Sequence, residues 1–225
     1  MKVISKEVFL GDPMANIISV LNPKGGSGKT TLSIHLARAL HNGGQKVLLV
    51  DSDRQGSARD WSEAGEGKGG FPVVGLDRPT LDKDVPSLGQ NYAWVVVDGA
   101  AKLEKMIASA VKASDLVLIP VQPSPLDIWA CDSLVEMIQA RQQVTDGVPS
   151  AAFVVSRAKK GTVLAREVSD AIGEYGFPIL NGAIHDRTVF AKSMIDGSTA
   201  IDDEPEGSAA FEINHLLRQI RDAFE

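Results

Sequence analysis

Short apolar runs alternate along this chain with stretches in which apolar residues recur at helical spacing. The runs Ile17-Ile18-Ser19-Val20-Leu21, Lys46-Val47-Leu48-Leu49-Val50, Tyr92 to Val97, Leu116 to Val121 and Ala151 to Val155 read as strands. Between the first two, Leu32, Leu36, Ala39 and Leu40 fall at i, i+4, i+7 and i+8, one face of a helix that Asn42-Gly43-Gly44 stops. A short helix is predicted around Ala58 to Ala64, then a solvated loop, Gly65 to Gly70, and an edge strand at Phe71-Pro72-Val73-Val74, where the proline disfavours a central position. After the rigid Gln122-Pro123-Ser124-Pro125 loop, one helix carries Ile128, Cys131, Val135 and Ile138 on a single face, which makes Cys131 a small core residue. The last third predicts a helix to about Tyr175, a short strand near Pro178 to Leu180, and an acidic surface loop from Asp202 to Glu206. A terminal helix follows, striped by Ile213, Leu216, Leu217, Ile220 and Phe224. Strands alternating with helices predict an α/β fold: a single doubly wound, mostly parallel sheet with helices on both faces.

The length of 225 residues suits one domain of this class. Residues 1–13 read as an N-terminal extension before a second methionine, Met14, and residues 14–225 as the domain. The extension is too short for a DNA-reading helix-turn-helix. The absence of a long apolar run predicts a soluble protein, and the single Cys131 excludes an internal disulfide framework and fits a reducing cytoplasm. The net charge of −6 excludes a surface coated in basic residues but leaves room for a local basic patch. His35, His41, His185 and His215 are scattered without metal-ligand spacing, which argues against a zinc site.

The chemistry concentrates where strands end. Asn22-Pro23-Lys24-Gly25-Gly26-Ser27-Gly28-Lys29-Thr30-Thr31 follows the first strand and opens the first helix. Glycines let backbone N–H groups turn toward an anion, and the helix N-terminus adds unpaired N–H groups and its dipole. Gly25, Gly26, Ser27, Gly28, Lys29, Thr30 and Thr31 are therefore the candidate phosphate cradle, with Lys29 reaching the β/γ-phosphates and the Thr30 hydroxyl a ligand of Mg²⁺. Pro23 stands where the usual spacing puts the first glycine, and an extra lysine, Lys24, heads the loop. The second strand ends in Asp51-Ser52-Asp53, read either as a turn or helix cap or as carboxylates for Mg²⁺ and water. The third major strand ends in Asp98-Gly99, the arrangement in which a strand-end aspartate holds Mg²⁺. Arg157, just past a strand end, is either a surface charge or a neighbour of the adenine.

At Lys24 to Thr30 the sequence resembles the deviant Walker-A ATPases, the family of ParA-type partition ATPases and the division-site ATPase MinD. Asp51-Ser52-Asp53, Val97-Asp98-Gly99-Ala100 and Pro120 to Asp127 look like the small ParA proteins that lack a DNA-reading domain, such as ParF. The resemblance implies an ATPase using ATP and Mg²⁺, forming an ATP-dependent homodimer that binds DNA without sequence preference. A centromere-binding or cargo-adaptor partner would stimulate hydrolysis, and the protein would be cytoplasmic and nucleoid-associated when ATP-bound. It implies that Lys24 reaches the phosphates of the other subunit and Lys29 those of its own, that Thr30 and Asp98 hold Mg²⁺ with Asp51 in support, and that Asp53 orients the attacking water. The family usually has proline after the second aspartate, where this chain has Arg54. The cargo expected is plasmid or chromosome DNA; the alternatives are a membrane-cycling regulator similar to MinD and a positioner of another cargo, such as a carboxysome. The C-terminal helix mixes Glu212 and Asp222 with Arg218 and Arg221, which disfavours the membrane. A single cysteine excludes an iron–sulfur relative of the same fold. Arg157, Lys159, Lys160, Arg187, Lys192, Arg218 and Arg221 are the basic residues from which a DNA-binding patch could form.

Overall fold

The computed structural model describes residues 14–101, 103–159 and 171–224. The N-terminal extension 1–13, Lys160 and most of the helix expected to end near Tyr175 lie outside these residues. A parallel sheet of seven strands has the order β3-β2-β4-β1-β5-β6-β7. Its strands are β1 (Asn16–Val20), β2 (Val47–Asp51), β3 (Val73–Gly75), β4 (Trp94–Asp98), β5 (Leu116–Val121), β6 (Ser150–Ala158) and β7 (Ile179–His185). The central runs are continuously apolar because both faces are covered. Along β1 and β2, Ile18, Val20, Val47 and Leu49 face one core, while Ile17, Leu48 and Val50 face the other.

The first core packs beneath α1 (Lys29–Asn42), α2 (Ser57–Ala64) and, late in the chain, α7 (Thr188–Ser193), α8 (Ala200–Asp203) and α9 (Ser208–Asp222). The second lies under α3 (Leu81–Leu88), α4 (Glu104–Ala113), α5 (Pro125–Trp129) and α6 (Asp132–Gln143). The predicted edge strand is indeed at the sheet edge, and Pro72 contributes only its carbonyl, which accepts from Leu49 N at 3.1 Å. β6 and β7 run longer than their apolar cores because polar residues continue the ladder to Ala158 and His185.

Three expectations are corrected. The single helix after Pro125 is two, broken where Cys131 N bonds to Ile128 O at 2.9 Å, one residue nearer than the helical repeat. Cys131 is a buried core residue all the same, its thiol pushed up to about 12, chiefly by burial. Secondly, α3 and α4 were not anticipated; α3 buries only Leu81 and Val85 and contains Pro86, so its periodicity is weak. Thirdly, the acidic segment begins inside α8, where Asp202 accepts from Thr199 Oγ1 at 2.7 Å and pairs with Arg38 of α1 at 2.8 Å.

His35 makes a second tie between α1 and this region. Its Nδ1 lies 2.7 Å from Thr31 O and its Nε2 accepts from Ala200 N at 3.0 Å, which fixes the neutral tautomer with the proton on Nδ1. Burial, the largest influence, lowers its pKa from 6.5 to about 4. The unfolded chain takes up a proton on this ring below its ordinary pKa while the folded chain does not, so stability is lost as pH falls through that window. The loss amounts to about 3 kcal/mol. Asp98 has the opposite sign, since its carboxyl stays protonated in the fold up to about 7. The His35 contribution is therefore read as a difference: from about pH 7.5 to about pH 4, the unfolding free energy of the parent should fall by about 3 kcal/mol relative to His35→Gln. Chemical denaturation across pH checks this, and parallel curves would contradict it.

Candidate functional site

Every candidate residue sits at the carboxyl edge of the sheet, where an open α/β fold presents its ligand groups. Register sets their level: Asp98 of β4 lies opposite Val20 of β1 and Asp51 of β2. The loop after β1 is pinned at its root by Asn22, whose amide donates to Pro120 O at 2.8 Å while its Oδ1 accepts from Lys24 N at 2.7 Å. Gly26 and Gly28 take left-handed conformations, with φ of 78° and 91°. A Cβ on Gly28 would stand 2.6 Å from Ser156 Oγ, so that position tolerates no side chain. α1 starts at Lys29, and the first backward bond is Leu32 N to Gly28 O at 2.9 Å. The N–H groups of Lys29, Thr30 and Thr31 consequently have no acceptor within the helix and are available to an anion.

A cavity of about 400 Å³ opens over this loop, lined by Gly25, Gly26, Gly28, Lys29, Thr30, Thr31, Asp53 and Arg157, and at its far end by Ile184 to Arg187 and Phe190. Ser27 is buried and does not line it. A wider groove of about 610 Å³ lies between the end of α1 and α9. It carries none of the loop's groups, so the smaller cavity is the candidate site.

Lys29 is 7% exposed, and its Nζ donates to Lys24 O at 3.1 Å. Burial lowers its pKa, while Asp98 and Asp53 oppose the shift. Asp98 is 1% exposed; its Oδ1 accepts from Ser33 Oγ at 3.2 Å, while Oδ2 has no hydrogen-bond partner. Burial raises its carboxyl to about 7, against the nearby hydroxyls of Thr30 and Ser33 and the charge of Lys29. An orphaned, buried carboxylate oxygen next to Thr30 fits a hard divalent cation approached directly or through its water.

Asp53 projects toward the cavity and is held by Gln55 N at 3.0 Å and more loosely by Ala101 N at 3.4 Å. Asp51 is turned elsewhere: its oxygens accept from Asp53 N, Ala58 N and Arg59 N, each at 3.1 Å. It therefore caps the first turn of α2, seven residues on, and stands next to Asp98 as a charge.

Lys24 does not line the cavity. Its Nζ pairs at 2.9 Å with Asp127 of α5, a 7% exposed carboxylate whose other oxygen has no partner. Sequence reasoning assigned no role to Asp127; its one signal was its place just after the proline-flanked loop. Arg157, at φ 53°, donates to Gly26 O at 3.3 Å and lies 3.7 Å from Asp186. It braces the loop rather than standing free. Arg187 is bound to Glu212, which also accepts from His185, at the far end of the cavity.

The family described as "CobQ/CobB/MinD/ParA nucleotide binding domain" matches residues 18–200. The maintenance of carboxysome distribution protein A of Halothiobacillus neapolitanus is 32% identical over 207 residues, covering 90% of this chain and 95% of that protein. Protein ParA of Rhizobium radiobacter is 25% identical over 179 residues, covering 78% of this chain and 80% of that protein. Among solved structures, the MinD cell division protein of Aquifex aeolicus superposes with a TM-score of 0.73 over 92% of this chain and 98% of that one, at 23% identity, a likeness of fold.

Proposed function

Because the chain belongs to the CobQ/CobB/MinD/ParA family of nucleotide-binding domains, we propose that it is a MgATP-hydrolysing positioning ATPase that cycles between a monomer and an ATP-bound homodimer. The observation that carries this reading is that Gly25, Gly26, Gly28, Lys29, Thr30, Thr31 and Asp53 line one cavity, with the orphaned Asp98 oxygen buried next to Thr30. The backbone N–H groups and Lys29 neutralise the β/γ-phosphate oxygens, and the Thr30 hydroxyl and Asp98 hold the cation. Bound Mg²⁺ would supply neutralisation of the phosphate charge. Asp53 accepts a hydrogen bond from the attacking water and aligns it with the γ-phosphorus. Asp51 acts through the turn it caps, and Arg157 braces the loop from the cavity wall through Gly26 O. Lys24 is held on Asp127 in the monomer and exchanges that carboxylate for the phosphates of a second copy on dimerisation.

The track proposed is DNA, bound without sequence preference. Among the basic residues, Arg157 and Arg187 are engaged with Asp186 and Glu212. Arg218 and Arg221, one turn apart on α9, are exposed and line the same groove, and Lys192 is exposed on α7. Arg218 and Arg221 share a groove, and they are the local patch we propose for DNA on a chain of net charge −6. The apolar stripe of α9 is buried against the core, which disfavours that helix as a membrane anchor; no described helix is long and apolar enough to cross a membrane. For the cargo, the 32% identity to a carboxysome distribution protein, across nearly the whole of both chains, favours a non-DNA body over the plasmid or chromosome DNA that the motifs alone favoured. A cargo-bound adaptor protein is the partner that stimulates turnover.

The test is co-sedimentation with unrelated duplexes and with anionic liposomes in ATP, ADP or no nucleotide. ATP-dependent DNA binding should weaken at least about tenfold between 50 and 200 mM salt. Binding to liposomes and not to DNA would replace the track by a membrane. Deleting the gene in its host separates the cargoes: clustered bodies with plasmids retained supports the non-DNA cargo, and plasmid loss with bodies evenly spaced supports DNA.

A further inference from the structure

Asp53 opens a four-residue turn closed by Gly56 N donating to Asp53 O at 3.0 Å. Arg54 holds the second position of this turn, the place where proline's fixed φ fits and would stiffen it. Arg54 and Gln55 are both exposed, so packing does not restrain them. The restraint comes from α2. Arg59 Nη2 donates to the same Asp53 carbonyl at 3.1 Å. Its guanidinium lies in a slot walled by two glycines: a Cβ on Gly56 would meet Nη2 at 3.0 Å, and one on Gly75 would meet Nη1 at 2.9 Å. Arg59 also forms an ion pair with the fully buried Asp51, but without a hydrogen bond. That carboxylate is already filled by three backbone N–H groups, and Arg59 Nε, 3.5 Å away, makes no hydrogen bond.

We propose that Arg59 is a positioning residue for hydrolysis: lodged between Gly56 and Gly75, it clamps the Asp53 carbonyl and thereby fixes the carboxylate that orients the attacking water. The proposal rests on the assignment of Asp53 to the water. Arg59 touches neither phosphate nor cation, so its loss should appear in kcat and leave MgATP affinity nearly unchanged.

Two variants remove the clamp by different routes. Arg59→Ala deletes the guanidinium. Gly75→Ala keeps it but fills the slot; Gly75 ends an edge strand and has no positive φ, so the flexible guanidinium is what must move. Both should lower kcat by about tenfold or more, with the Kd for MgATP changed by less than about threefold. Arg54→Pro supplies the missing stiffness from within the turn. In that background the same two substitutions should cost less than about threefold, a coupling that loss of stability alone would not produce. Wild-type kcat in both single variants would overturn the proposal, as would an equal loss in the two backgrounds or a loss confined to affinity. Asp53→Ala is run alongside. Full turnover there would overturn the water assignment beneath the proposal, whereas an inactive Asp53→Ala beside a fully active Arg59→Ala would overturn the clamp alone.

Discussion

Lys29→Ala should lower MgATP affinity by about 100-fold, the loss of a desolvated, charge-assisted contact to phosphate. The substitution ought not to unfold the protein. In the free protein Lys29 is a buried cation, its pKa lowered by desolvation, and its one hydrogen bond is to the Lys24 carbonyl. Removing it relieves that desolvation and leaves Asp98 without a nearby positive charge, so the Asp98 carboxyl stays protonated to higher pH. Thermal melts with and without nucleotide separate the two effects. The free variant should melt close to the parent, while the stabilisation by ATP, about 2.7 kcal/mol at a ligand concentration 100 times Kd for the parent, should fall to about 0.4 kcal/mol at the same concentration. Retained tight binding would remove the loop from the site. Lys24→Ala provides the contrast, because its side chain lies outside the cavity on Asp127. It should bind MgATP as the parent does and fail to dimerise by light scattering.

Asp53→Ala should stop turnover without freeing the nucleotide. Among the described residues its carboxylate accepts hydrogen bonds from the backbone N–H groups of Gln55 and Ala101, and its removal leaves the cradle and the Asp98 oxygen intact. A fall in kcat of about 100-fold or more is expected, in the range for groups that position or activate a water. MgATP affinity should hold within about threefold, so an ATP-bound dimer accumulates and persists. Single-turnover hydrolysis and dissociation of the dimer on a sizing column check the two halves separately. A variant that binds poorly and hydrolyses normally once saturated would shift Asp53 from the water to the nucleotide.

Much of this arrangement was legible in the chain because it depends on neighbours in sequence. Gly26 and Gly28 declare their left-handed loop, the apolar runs end on Asp51 and Asp98 where strands end, and Pro72 betrays the edge. What was not legible depends on pairs that the fold alone brings together. Asp51 reads equally as a cap and as a ligand, and only the fold brings the N–H groups of Ala58 and Arg59 onto it. Asp127 meets Lys24 across the β1 and β5 loops, and Arg187 is engaged by Glu212. None of these carries a periodicity or a fixed spacing, because each partner is supplied by a different element.

The contrast between α1 and the two loops beside it sets where time is lost in the cycle. α1 is buried along most of its length and tied at His35 and Arg38 to the start of α8. It is a fixed anvil. By comparison, the contacts of Arg59 with the Asp53 carbonyl and of Lys24 with Asp127 are each made by one long, half-exposed side chain, beside the bonds that Asp53 makes to Asp51 and Ala101. Releasing such a contact requires rotamer changes and loop motion, on scales from picoseconds to microseconds. No strand has to slip and no core has to open. On the function proposed above, a turnover slower than these motions would be timed outside the subunit, in the encounter with a second copy or with an adaptor. Local concentration of such partners, rather than stiffness of the fold, would then set the pace.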